Sequence, residues 1–289
     1  MAEKEEIIKK NLIKRVMKGE WKEVVEICGR QPEVRRMKIN QSGGTALHMA
    51  VYKGQEQVVK DLLDMIEDSD ADDDERELAL ADKKGNTALH IAAKMGNERM
   101  CAQIAWKMPG LIGFRNKDSE TPLFLAALYG KKHAFMSLSI ICCWQLKDGW
   151  DKIYQFGRRN SDGCTVLHCA IDGEYFAAKN GIKEIVKDVL KEFPAAIRDM
   201  NSDGKNLMLI AVENRQPHVL QLLLKSKSTK CIDDLLHCLD NEGNSALHLA
   251  AMLKTYQPWL APNAALQMQW EIKWYDVSNI FRRCNISST

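Results

Sequence analysis

One six-residue phrase recurs six times in this chain of 289 residues. The copies are Thr45-Ala-Leu-His-Met-Ala, Thr87-Ala-Leu-His-Ile-Ala, Thr121-Pro-Leu-Phe-Leu-Ala, Thr165-Val-Leu-His-Cys-Ala, Asn206-Leu-Met-Leu-Ile-Ala and Ser245-Ala-Leu-His-Leu-Ala. Self-similarity at a roughly fixed period marks a stack of like units, each too thin to bury a core alone. Such a stack offers a surface to another macromolecule and carries no built-in chemistry.

The chain around each phrase reads as two helices. Two residues before the Thr position stands a turn residue: Gly43, Gly85, Ser119, Gly163, Gly204 or Gly243. Thr45, Thr87, Thr121, Thr165 and Ser245 can cap a first helix through their hydroxyls, and Pro122 sits at the first helical position, where a missing N–H is harmless. Leu and Ala lie three residues apart on one face, as in Leu47 with Ala50, Leu89 with Ala92 and Leu123 with Ala126. Gly54, Gly96 and Gly130 end the first helix. A second helix follows, with apolar pairs one turn apart: Val58, Val59, Leu62 and Leu63; Ile185, Val186, Val189 and Leu190; Val219, Leu220, Leu222 and Leu223. The predicted fold class is all-α, a solenoid of stacked helix-turn-helix units.

This pattern resembles the ankyrin repeat, whose phrase is T-P-L-H-x-A in a unit of about 33 residues. The resemblance covers roughly Gln41 to Ala251. The turn residues are spaced by 42, 34, 44, 41 and 39, so most units carry an insertion, expected in loops on one face. The expected organisation is an N-terminal cap over 1–40, an array of about six units over 41–255, and a C-terminal segment over 256–289. Ile7 to Cys28 has the helix, Gly19, helix pattern without the phrase, as terminal repeats do.

Further stretches are similar to a narrower group, plant ankyrin-repeat proteins with a C-terminal PGG domain. They are Gly19-Glu-Trp-Lys-Glu-Val-Val25, Leu167-His-Cys-Ala-Ile-Asp-Gly-Glu-Tyr-Phe176, Ala211-Val-Glu-Asn-Arg-Gln-Pro-His-Val219, Tyr256-Gln-Pro-Trp-Leu260 and Ala265-Leu-Gln-Met-Gln-Trp-Glu-Ile-Lys-Trp-Tyr275. The resemblance implies defence or salt-stress signalling and an array tied to membrane helices. The sequence departs from that pattern in stopping at Thr289 without such helices. Its middle is also compressed, with only eight residues from Gly173 to Gly181, as in a splice form or rearranged product.

Composition excludes several classes. Lys plus Arg number 41 and Asp plus Glu 39, a net charge of +2, so no nucleic-acid partner is expected. The chain opens on charged residues without an apolar leader, and its nine Cys form no CxxC pair, so a reducing, cytoplasmic compartment is expected. Association with the plasma membrane is the alternative implied by the PGG resemblance. The apolar run Leu138–Trp144 is far below the roughly 20 residues that span a bilayer.

No catalytic or metal constellation stands out. His48, His90, His168 and His248 share one slot in successive units, so they form a row instead of converging; each ring is expected to bridge to the neighbouring loop backbone. Phe124 and Leu209 fill the slot elsewhere. Cys164, His168 and Cys169 lack the further ligands of a zinc cage and read as buried thiols. The acidic run Glu67–Glu77 starts like a calcium loop at Asp68, Asp70 and Asp72. It has Asp73 where that loop needs Gly and Ala79 where it needs Glu, so a solvated loop is expected. No P-loop, GxGxxG, GxSxG or HExxH occurs. A non-enzymatic protein without cofactor or small-molecule substrate is the expectation.

By resemblance, partners lie along turn tips and first-helix ends. The tips are Gln41 and Ser42, Lys83 and Lys84, Lys117 and Asp118, Ser161 and Asp162. The helix ends add Tyr52, Lys53, Lys94, Met95, Leu128 and Tyr129. Aromatic anchors among cations suit an acidic protein partner, although scattered exposed lysines are also ordinary surface. Leu266, Trp270, Trp274, Val277 and Phe281 form one stripe ending at Arg282 and Arg283. That stripe, Leu266–Phe281, either covers the last repeat or makes peripheral membrane contact.

Overall fold

The computed structural model describes residues 2–66, 76–159, 161–172, 186–187, 189–191, 194–225, 234–252 and 268. The acidic stretch from Glu67 to Glu75, the Gly173–Gly181 stretch and all of Leu266–Phe281 except Met268 lie outside these residues. The chain divides into two compact units, Met1–Ser161 and Asp162–Thr289.

In the first unit α1 (Ala2–Lys18) and α2 (Trp21–Arg30) pair across Gly19, whose φ is +75°. A short α3 (Pro32–Arg35) leads to the first tip. Three helix pairs follow: α4 (Ala46–Tyr52) with α5 (Glu56–Asp64), α6 (Ala88–Met95) with α7 (Glu98–Lys107), and α8 (Pro122–Leu128) with α9 (Lys132–Gln145). First helices pack in one row, α4 on α6 on α8; second helices form another, α2 on α5 on α7 on α9. Leu89, Ala92, Leu123 and Ala126 are wholly buried between the rows. Each such leucine side chain removed from water stabilises by about 1.5–3 kcal/mol.

The turns follow the phrase. Gly43, Gly85, Gly163, Gly204 and Gly243 all have φ between +68° and +81°, and Ser119 takes the same left-handed region at +61°. The hydroxyl caps form as expected, and where His is present its ring joins them in a capping box. The Thr45 N–H donates to His48 Nδ1 at 3.3 Å, and the Thr45 hydroxyl lies 2.9 Å from the same nitrogen. The ring therefore closes the helix start together with the hydroxyl. Where Phe124 replaces His, the Thr121 hydroxyl alone accepts from the Phe124 N–H at 3.0 Å.

The widest spacing is filled by helix. α9 runs for 14 residues against ten in α7, and an added α10 (Gly149–Phe156) packs on it. Arg115 holds this insertion, donating to the carbonyls of Ser119 at 2.7 Å, Arg158 at 2.7 Å and Gln155 at 3.0 Å.

The second unit repeats the scheme. First helices α11 (Val166–Asp172), α12 (Leu207–Glu213) and α14 (Ala246–Ala251) form a row, α12 packing on both others. α13 (Pro217–Leu224) is the second helix beside α12. Asn206 caps α12, its side-chain oxygen accepting from the Leu209 N–H at 2.9 Å. Lys205 and Glu213 form a largely buried ion pair at 2.8 Å.

Candidate interaction surface

Turn tips of the first unit are tied to one another through the backbone. The Lys83 N–H donates to Ser42 O at 2.7 Å and the Lys117 N–H to Lys84 O at 2.9 Å. The approach is close: a Cβ on Gly85 would stand 2.8 Å from Lys117 N. Those bonds hold Gln41, Ser42, Lys83, Lys84, Lys117 and Asp118 in a fixed row, and all six are exposed.

Helix ends lie behind the tips. Tyr52, Lys53, Lys94 and Met95 are exposed, and Leu128 and Tyr129 are half-buried. Lys94 Nζ stands 4.6 Å from the centroid of the Tyr129 ring, a cation–π distance worth about 0.5–1 kcal/mol at an exposed site. Ser161 closes the first unit and is exposed. Asp162 opens the second unit. Its carbonyl accepts from the Ser202 N–H at 2.8 Å and its carboxylate from the Cys164 N–H at 3.0 Å.

Two further lysines join this face. Lys38 is exposed, and its Cδ and Lys83 Cγ both crowd Gly43, at 3.7 and 3.3 Å from where a Cβ would stand. Lys131 packs on Gly96, its Cδ 2.6 Å from the equivalent point. The motif positions could not point to Lys38, which precedes the first tip by several residues and meets Lys83 only through the stack. None of Lys38, Lys53, Lys83, Lys84 and Lys117 takes part in the ion pairs formed among the described residues. Asp118 is the exposed carboxylate beside them. Asp82 is occupied in its own turn, accepting from the N–H groups of Lys84 and Asn86 at 2.8 and 2.9 Å.

The buried His row serves structure. His48 Nε2 lies 3.1 Å from Asn86 O and His90 Nε2 3.2 Å from Glu120 O. With Nδ1 accepting from the Thr N–H, the proton sits on Nε2 and is donated to the next loop. Burial pushes both rings below the ordinary His value, His90 to about 4. In the second unit Thr165 engages His168 Nδ1 in the same way, at 3.2 Å from its N–H and 2.7 Å from its hydroxyl. Burial also pushes Cys28, Cys101 and Cys142 up to about 12, which keeps these thiols protonated and poorly nucleophilic. Among the described residues no group of three or more His, Cys, Asp or Glu is arranged to hold a metal ion. No helix among them is long and apolar enough to cross a membrane.

A family profile for ankyrin repeats, in three copies, matches residues 12–108 and 175–258, more than half of the chain. The chain belongs to the ankyrin repeat family. Ankyrin arrays are protein-interaction modules, typically without catalytic activity of their own. Among curated proteins the chain is 28% identical over 193 residues to a transient receptor potential cation channel subfamily A member 1 homologue of Caenorhabditis elegans. The match covers 67% of this chain and only 14% of that protein. Among solved structures the fold is similar to EF0377, an ankyrin repeat protein, with a TM-score of 0.59 at 17% identity. That match covers 74% of this chain and 96% of the other. It is equally similar to the ankyrin repeat domain of Bcl-3, a member of the IκB protein family, with a TM-score of 0.59 at 18% identity. There the cover is 83% of this chain and 93% of the other.

Proposed function

We propose that this ankyrin chain is a non-enzymatic scaffold whose first unit grips an acidic segment of a partner protein. The observation that carries the reading is the charge balance along the tips and helix ends. Lys83, Lys84 and Lys117 project from a hydrogen-bonded row, Lys38 and Lys53 add charge from beside the first tip and a helix end, and one exposed carboxylate, Asp118, stands among them. Tyr52, Met95 and the Lys94–Tyr129 pair supply apolar and aromatic contact area beside the charge. Complementary charge raises association rates and rejects wrong partners, and aromatic anchors carry affinity. Ser161 and Asp162 complete the proposed set of partner-binding residues, one at the end of the first unit and one at the start of the second.

The setting we infer is plant stress or defence signalling, on the PGG-type stretches such as Gly19–Val25 and Ala265–Tyr275. A cytoplasmic scaffold is the primary reading. A membrane-tethered subunit is the second, supported by the aromatic and basic stripe Leu266–Phe281 and by a relative named as a channel homologue. The test for the scaffold is affinity capture with the full chain and with K83E/K84E/K94E. Loss of the retained proteins in the variant supports the site, and an unchanged set sinks it. Flotation of the full chain with anionic liposomes decides between the two settings.

A further inference from the structure

We infer that the occupant of this cationic row is a polyproline II segment carrying a carboxylate at every third residue. The inference deepens the acidic-partner reading above and rests on it.

Three features of the row select that geometry. First, it offers no backbone pairing. The N–H groups of Lys83 and Lys117 are consumed by Ser42 O and Lys84 O, so an added β-strand would not find these donors, on which strand addition depends. Second, cations stand at two successive levels of the stack, Lys83 with Lys84 and then Lys117, with Lys38 packed beside Lys83 at Gly43. Levels are one helix-packing distance apart, about 8–10 Å. A polyproline II chain has three residues per turn and rises ~3.1 Å per residue. Its every-third side chains therefore point the same way at ~9 Å, in step with the levels. A strand alternates faces, so its same-side neighbours fall at ~7 Å and drift out of step. Third, Tyr52 and Tyr129 stand at the ends of first helices in the same repeats, exposed and half-buried, and aromatic-lined surfaces suit polyproline II ligands, whose backbone needs no internal hydrogen bonds.

The experiment is fluorescence anisotropy with the full chain and two labelled peptides of identical composition. One is Glu-Pro-Pro repeated three times and closed by Glu. The other carries the same four Glu at every second position among the same prolines. The first is expected to bind about tenfold more tightly, and K83E/K117E is expected to abolish that advantage. Equal affinity for both peptides, lost together in K83E/K84E/K94E, overturns the spacing and leaves the cationic-row reading standing. Binding of neither peptide, or equal binding that the triple variant leaves unchanged, overturns both. Tighter binding of a helical peptide with Glu at every seventh position also overturns the polyproline assignment.

Discussion

Arg35 and Glu77 meet in the interior of the first unit, Nε to Oε1 at 3.3 Å, with both side chains more than nine-tenths buried. The approach is an ion contact, too poorly aligned for a hydrogen bond. Arg35 also donates to the Met65 carbonyl at 2.6 Å, and Arg36 lies 3.8 Å from the other Glu77 oxygen. Glu77 is the last residue of the acidic run expected to be solvated. Here it anchors the end of that run to α3.

Glu77→Gln should be costly, because it leaves the Arg35 guanidinium buried without its counter-charge. Losing one partner of a buried pair costs about 3–5 kcal/mol, whereas replacing both by apolar groups is often neutral. Urea denaturation followed by circular dichroism should show a large drop in midpoint for Glu77→Gln. R35M/E77L should recover most of it. Equal midpoints for the wild type and Glu77→Gln would falsify the buried pairing.

His90 makes the first unit acid-sensitive. Burial holds the ring neutral with its pKa pushed from the ordinary 6.5 to about 4. As pH falls, the unfolded chain takes the proton first. The stability contributed is therefore full above pH 6.5 and declines as pH drops toward 4. Each pKa unit corresponds to about 1.4 kcal/mol, so the loss over that window is about 3 kcal/mol at most. In His90→Phe, which copies the Phe124 unit, melting temperature should fall less between pH 7 and pH 4.5 than in the wild type. Parallel curves would show that His90 does not carry the effect.

Two glycines with the same backbone conformation should tolerate alanine differently. Gly54 has φ +70° and open space around a Cβ. Gly54→Ala then costs only the left-handed strain, about 1–2 kcal/mol. Gly85 has φ +81° and places a Cβ 2.8 Å from Lys117 N, so Gly85→Ala must also push the tips apart. Its destabilisation should be at least twice that of Gly54→Ala in the same denaturation assay.

Ser119 holds the turn position that is Gly in the other copies, at φ +61°. Ser119→Gly relieves left-handed strain of about 1–2 kcal/mol, partly offset by the greater freedom of glycine in the unfolded chain. A gain of about 0.5–1 kcal/mol is expected, read as a raised urea midpoint. A lowered midpoint would mean the hydroxyl has a role that outweighs the strain.

Much of the fold was legible because it is written locally and repeated. The Leu and Ala of each phrase share a helical face at any copy, and the turn glycines need left-handed φ wherever a tip forms. The slot shared by the His residues also told correctly that His48 and His90 would reach the next loop. Other features were not legible. Nothing local distinguishes Arg215, which takes φ +48° in the position held by Gly54, Gly96 and Gly130. The wide spacing before Gly163 read as loop insertion, but α9 lengthens and α10 folds against it, with Arg115 supplying the bonds that hold α10 in place.

The sequence by itself determined the repeated helix pairs, the caps and the turn positions, since these depend on side chains within a few residues of one another. Only the tertiary structure decided that Glu77, at the end of an acidic run expected to be solvated, pairs with Arg35, and that Lys38 joins Lys83 beside Gly43. Those meetings bring together residues some 40 positions apart. Coulomb energy and desolvation act through distance in space, which the stacking of units sets and the order of residues along the chain does not.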